Sequence, residues 1–185
     1  MFPIVWIYLL SSMSGYASMK QPACSPSPSY PVNLESYQGK WFEIGVSAIP
    51  AETYEKDCDC VSANYTLAGP DRIKVINSCR RAGNWSVMEG KALPSRNASR
   101  PGDLFVWFPP QPPATQANYV IVNMWANETI ALVGDYCQSY FWILARAREL
   151  STTQITQVLD YALTVGFDPL ALGFRLKRQF DCGDN

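Results

Sequence analysis

A chain of 185 residues, 48% hydrophobic and 13% aromatic, with a formal net charge of −1, suits one domain with a substantial core and is short for two. Such a composition excludes a disordered chain, and the lack of a basic stripe excludes a nucleic-acid binder. With no histidine anywhere, His-based triads, His metal sites and a His pH switch are excluded too; no apolar run reaches the roughly 18 residues of a membrane-spanning helix.

At the N-terminus, Phe2 to Leu10 form a short apolar stretch without a preceding Lys or Arg. Small and polar residues follow, with Gly15 and Ala17 spaced as a −3/−1 cleavage pair, so residues 1–17 read as a secretory signal peptide. Residues 18–32 are a Pro-rich arm. Its segment Cys24-Ser-Pro-Ser-Pro-Ser-Tyr-Pro31 favours an extended, PPII-like path and reads as a tether outside the core.

Strands separated by turn signals occupy the chain from Lys40 to Arg146. They are expected at Trp41–Ile49, Cys60–Leu67, Arg72–Cys79, Trp85–Leu93, Asp103–Phe108, Asn118–Trp125, Thr129–Cys137 and Ser139–Arg146. Alternation puts Arg72 and Lys74 on one face of the third strand and Ile73, Val75 and Asn77 on the other. In the second, a solvent-facing Asn64 turns Val61, Ala63, Tyr65 and Leu67 inward. The stiff run Phe108-Pro-Pro-Gln-Pro-Pro113 reads as a rigid connector beside Trp107, with shaping of an entrance, or contact with a membrane or a cell-surface receptor, as the functional alternative.

Ser151 and Gln154 have the spacing of a capping box. Behind them Ile155, Val158, Leu159, Ala162 and Leu163 recur at helical spacing, and Gly166 suits the position just past the helix end. Phe174–Phe180 reads as a short ninth strand. The fold class is therefore all-β: eight antiparallel strands forming a barrel or sandwich in one domain, residues 33–185, with one C-terminal helix packed outside.

Six cysteines (Cys24, Cys58, Cys60, Cys79, Cys137 and Cys182) and four glycosylation sequons (Asn64, Asn84, Asn97 and Asn127) agree with secretion. The Cys58-x-Cys60 spacing is one residue short of a zinc-knuckle pair and has no His to support it, so disulfides are expected and no metal or cofactor. Counting alone leaves the connectivity open.

Three motifs resemble the lipocalin family, and within it the apolipoprotein D-like branch. The first is Asn33-Leu-Glu-Ser-Tyr37-Gln-Gly39-Lys-Trp41-Phe-Glu-Ile44, the second Cys60-Val-Ser-Ala-Asn64-Tyr65-Thr-Leu67, the third Phe141-Trp-Ile-Leu-Ala-Arg146. One departure is Asn123-Met124-Trp125, where the family usually shows T-D-Y. The resemblance implies a closed up-and-down barrel with Gly39, Trp41 and Arg146 as structural residues, Trp41 plugging one end under the Arg146 guanidinium. In such a barrel the loop after the first strand and the end of the third share the open mouth, which pairs Cys58 with Cys79; Cys60–Cys79 with Cys58 elsewhere stays open. The resemblance further implies Cys60–Cys182 and Cys24–Cys137.

A cavity wall is expected from Tyr65, Leu67, Val75, Asn77 and Trp142, aromatic area with a hydroxyl and an amide to orient a ligand. This implies a secreted, non-enzymatic carrier of one small hydrophobic molecule of the fatty acid, sterol, retinoid or pigment class. Two alternatives stand beside it. One is a glycoprotein recognising a macromolecule through its mouth loops; the other is a lipocalin-type isomerase, which needs an unpaired thiol.

Overall fold

The computed structural model describes residues 24–183, so the expected signal segment, residues 1–17, lies outside the described residues. Nine strands run in chain order: β1 Gly39–Val46, β2 Asp59–Leu67, β3 Ile73–Arg81, β4 Asn84–Pro94, β5 Asp103–Trp107, β6 Tyr119–Trp125, β7 Ile130–Gly134, β8 Phe141–Ala145 and β9 Arg175–Leu176. Helical segments are α1 Leu34–Tyr37, α2 Ala48–Glu52 and α3 Thr152–Thr164. Each of β1 to β8 pairs antiparallel with its sequence neighbour, and β1 meets both β8 and β2, closing an eight-stranded barrel. No described helix is long and apolar enough to cross a membrane.

Strand alternation divides the apolar residues between two cores. Trp41, Tyr65, Val75, Leu104, Ile121, Val133 and Leu144 fill the barrel interior. Ile44, Val122, Leu132, Phe141 and Ile143 point the other way and are covered by Val158 and Ala162 of α3 and by Phe167. The walls β1, β6, β7 and β8 are thus buried on both faces. On β2 to β4 the outer face carries solvated residues such as Asn64, Thr66, Glu89 and Lys91.

Several boundaries differ from the sequence pattern, each for a local reason. The first strand stops at Val46 rather than Ile49, because Ala48–Glu52 turns helical; Pro50 fits a first helical turn, where its missing N–H costs no bond. The strands expected at Thr129–Cys137 and Ser139–Arg146 are shorter. Asp135 accepts from the Cys137, Ser139 and Tyr140 backbone N–H groups and folds the chain between them. Leu163, assigned to the buried helix face, is 57% exposed, since that face is centred on Val158 and Ala162. The helix itself starts on a complete Ser151/Gln154 capping box, and Gly166 follows its end at φ +97°.

The described part of the proline-rich arm, residues 24–32, is packed against the barrel rather than loose. Ser27 is fully buried, its hydroxyl donating to the Asp135 carbonyl, while Tyr30 and Val32 lie against the interior core. Gly102 holds this path open, because a Cβ there would meet the Tyr30 backbone at 2.7 Å. Three disulfides join Cys24 to Cys137, Cys58 to Cys79 and Cys60 to Cys182.

The ninth strand is also shorter than the expected Phe174–Phe180, because only Arg175 and Leu176 find a regular ladder, on Gly45 and Val46. Beyond them the tail fills a seam. The β1–β2 ladder runs only from Gly39 to Phe42. Above it, Lys177 N–H donates to the Ile44 carbonyl, and Cys60 N–H donates to the Arg178 carbonyl. Residues 177–179 therefore complete the barrel wall, and the Cys60–Cys182 bond clamps them there.

Candidate functional site

The closed end is built around Trp41, which is wholly buried. Its indole N–H donates to the Tyr37 carbonyl at 2.9 Å, and the Arg146 guanidinium lies 3.8 Å from its ring centroid. Arg146 also donates to the Lys40 and Ser36 carbonyls, both at 2.9 Å. Gly39, at φ +91°, adopts a backbone shape that side-chain-bearing residues rarely take and leaves room for that guanidinium. Leu67 packs against the interior core at this end, opposite Ile73.

Above this plug stand three tyrosines. The Tyr65 hydroxyl donates to the Tyr119 hydroxyl at 2.9 Å, and the Tyr37 and Tyr119 hydroxyls are 2.7 Å apart. Burial pushes all three phenols well above their ordinary value; the neighbouring Tyr65 adds to the rise at Tyr37, and Tyr37 and Tyr65 add to it at Tyr119. Tyr119 stacks on Trp142 with centroids 6.4 Å apart, and Tyr140 meets Trp142 edge-on at 5.2 Å. Val75 faces inward opposite Gly90, which has no side chain because the Phe108 ring occupies that space.

Toward the open end the interior turns polar. Glu43 shares the inward face of β1 with Trp41, paired across β1–β8 with inward Leu144. Lys177 reaches in from the seam, its Nζ 3.8 Å from Glu43 Oε1 and 3.5 Å from Glu55 Oε2. Glu55, on the β1–β2 connection, accepts from the Trp142 indole N–H at 2.9 Å through its other oxygen. Burial, reinforced by the neighbouring Glu55 carboxylate, pushes the Glu43 carboxyl well above its usual range, and Lys177 offsets part of that rise. Gln179, 5% exposed, donates through Nε2 to the Glu43 and Val61 carbonyls. Two buried amide oxygens, Gln179 Oε1 here and Asn77 Oδ1 on β3, have no hydrogen-bond partner, while Glu43 Oε1 and Glu55 Oε2 have only the Lys177 ammonium.

Tyr65, Leu67, Val75, Asn77 and Trp142 thus all face one interior, but at different heights. Leu67 lies at the floor, Tyr65 and Val75 lie above it, and Trp142 stands at the polar upper level. Glu43, Tyr37 and Tyr119 were not singled out from the sequence, although Glu43 is legible as a lone charge two residues from Trp41 on a buried face. Glu55 and Lys177 carry no such signal, because a loop and a tail bring them in. Asn64, Asn84, Asn97 and Asn127 are all solvent-exposed. A cavity of about 680 Å³ at the β3–β5 wall is lined both by outer residues such as Lys74 and Lys91 and by the inward Ile73, Gly90 and Ala92.

A closed eight-stranded barrel with an aromatic interior and a Trp–Arg plug at one end defines a recognisable class of protein. A lipocalin-like domain family profile matches residues 32–177. Apolipoprotein D of Macaca fascicularis is 32% identical over 168 residues, covering 82% of this chain and 84% of its own. Apolipoprotein D of Rattus norvegicus is 34% identical over 171 residues, covering 86% and 84%. Insecticyanin from the tobacco hornworm Manduca sexta is alike in fold, with a TM-score of 0.61 at 19% identity over 84% of each chain. The chain belongs to the lipocalin family.

Proposed function

We propose that this protein is a secreted glycoprotein that carries one small, mostly apolar molecule inside its barrel and does no chemistry on it. The observation that carries this reading is the interior between the tyrosines and the mouth. There the aromatic faces of Tyr119 and Trp142 share the interior with a buried Glu43–Lys177–Glu55 cluster and with two amide oxygens, Asn77 Oδ1 and Gln179 Oε1, that meet no donor of the chain. A barrel core serving packing alone gains nothing from such groups, whereas a binding site uses a few of them to orient an apolar guest. Tyr65, Val75, Asn77 and Trp142 line the guest in this reading, with Leu67 as its floor. Secretion is supported by the three disulfides and four exposed sequons. A thiol-dependent isomerase lacks its nucleophile, since all six cysteines are bonded.

Titration of the protein, made in a eukaryotic secretion system, with fatty acids, sterols, retinoids and a bilin tests this through tryptophan fluorescence. Saturable one-to-one quenching, lost in Trp142→Phe, is the expected result. A folded protein that responds to no member of the panel is not a carrier of this kind. In that case the exposed apolar residues near the mouth, Ile49, Tyr54, Val87 and Met88, favour recognition of a macromolecular partner.

A further inference from the structure

We infer that the outer wall of the barrel carries a second binding site, separate from the interior, for one anionic amphiphile: a single apolar chain with a sulfate, phosphate or carboxylate head. Its place is the cavity of about 680 Å³ at the β3–β5 wall, a size usual for small-molecule sites. Ile73 and Val75 belong to the interior core, so Lys74 between them faces out. Lys91 stands directly opposite Lys74, and Trp107 directly opposite Lys91, so the three form one outward row across β3, β4 and β5.

Two like charges opposite each other on one face, with Cβ atoms about 5 Å apart, work against the sheet. Only one of them is answered within the chain: Lys74 meets Glu89 Oε2 at 2.9 Å. Lys91, and with it Arg72 and Arg96 in the same lining, forms no ion pair among the described residues. Asp71 is the other acid there, so four cationic side chains stand against two carboxylates in the lining. Apolar area lies beside this charge, on Leu93, Trp107 and Pro113. An inorganic anion would leave that area unused, and a neutral lipid would leave the lysine pair unanswered. An anionic amphiphile uses both. The sequons favour one small molecule over a broad partner. Asn64 stands opposite Ile76, which stands opposite Glu89, and Asn97 follows Arg96. Both asparagines are exposed. Glycans on them, as in the secreted reading above, would hold a flat membrane or a folded partner off this face and still admit a single chain.

The test is a head-group series on one chain length: decyl sulfate, decyltrimethylammonium and decyl maltoside, each below its micelle concentration. They are titrated into the intact glycoprotein carrying Trp142→Phe, which silences the interior reporter, and followed by tryptophan fluorescence. Decyl sulfate is expected to saturate one-to-one and to bind about tenfold or more tighter than the other two. The signal should vanish when Trp107→Phe is added. Lys91→Glu should abolish the preference for sulfate, whereas Glu89→Gln, which frees Lys74, should tighten decyl sulfate. These are exposed surface positions, and near-ultraviolet circular dichroism checks that each variant is folded. Equal affinities for the three, or no saturable response, overturn the site. A sulfate preference that survives Lys91→Glu places the anion elsewhere and overturns it too. So does a response to phosphatidylserine vesicles without one to monomeric decyl sulfate, which makes the face a membrane contact. None of these outcomes touches the carrier reading, which is judged by the Trp142 signal of the unsubstituted protein.

Discussion

Trp41 is held from two sides by groups that do different work. Its indole N–H is satisfied by the Tyr37 carbonyl, and its ring face by Arg146, which in turn tethers α1 through Ser36 and β1 through Lys40. Because the guanidinium is a flat fork that stacks and donates twice, Arg146→Lys is not conservative. It should lower stability by about 1–2 kcal/mol, read as a drop in the urea midpoint at unchanged slope. An unshifted midpoint would sink this account of the plug. Asn77 is the opposite kind of residue, a buried amide oxygen with no partner. Asn77→Leu should leave stability unchanged or raise it by about 1 kcal/mol while weakening ligand binding, because desolvating the unpaired group costs the fold. Parallel urea and ligand titrations check both halves. Residues on strands, such as Trp41, Tyr65 and Val75, could be placed from alternation. Glu55 and Lys177 could not, since their neighbours are fixed by a loop and a tail that have no period.

At the level of elements, the capping box is the clearest case in which sequence dictates geometry. Ser151 accepts from Gln154 N–H at 3.3 Å, and the Gln154 side chain accepts from Ser151 N–H at 2.9 Å. Ser151→Ala removes half of that exchange and should cost about 1 kcal/mol, visible in thermal unfolding; Ser151→Asp should keep most of it. Strand ends were less legible than the helix start. Strand composition continues through Ala48 and Ile49 and again through Tyr136 and Cys137, but a first-turn proline and the Asp135 carboxylate redirect the backbone in those places. The ninth strand was overextended for a related reason: its residues alternate correctly, but the regular β9 ladder spans only two positions on β1.

For the molecule as a whole, the eight strands and the outside helix were readable from a period of two in the strands and 3.6 in the helix, whereas that period leaves barrel and sandwich open and closure was implied only by the motifs resembling lipocalins. The interior polarity was not readable, since it arises where β1 and β2 part and the tail enters. That interior also sets the response to alkali. Tyr37, Tyr65 and Tyr119 have phenols raised by burial, so an unfolded chain gives up these protons first. Stability should therefore hold below the ordinary tyrosine value of about pH 10 and fall as pH rises through it, by up to about 1.4 kcal/mol per pH unit for each tyrosine. In an alkaline titration the phenolate absorbance of these three should appear together with loss of near-ultraviolet circular dichroism. Their ionisation in a protein that keeps its tertiary signal would contradict the buried triad.

The unequal thickness of the wall also bears on how a guest gets in. On one side β7 and β8 are covered within and without. On the other, the β5–β6 ladder holds at only two register pairs, Asp103 with Val120 and Leu104 with Tyr119, beyond which the Asn118 side chain takes over by bonding the Val106 N–H and carbonyl. Local opening of the wall should begin there, so within the barrel amide hydrogen exchange is expected to be faster in β5 and the start of β6 than in β7 and β8. A guest touching Tyr119 would then latch the side of the barrel, and slower exchange in β5 on loading would mark that flank, rather than the mouth alone, as its way in and out.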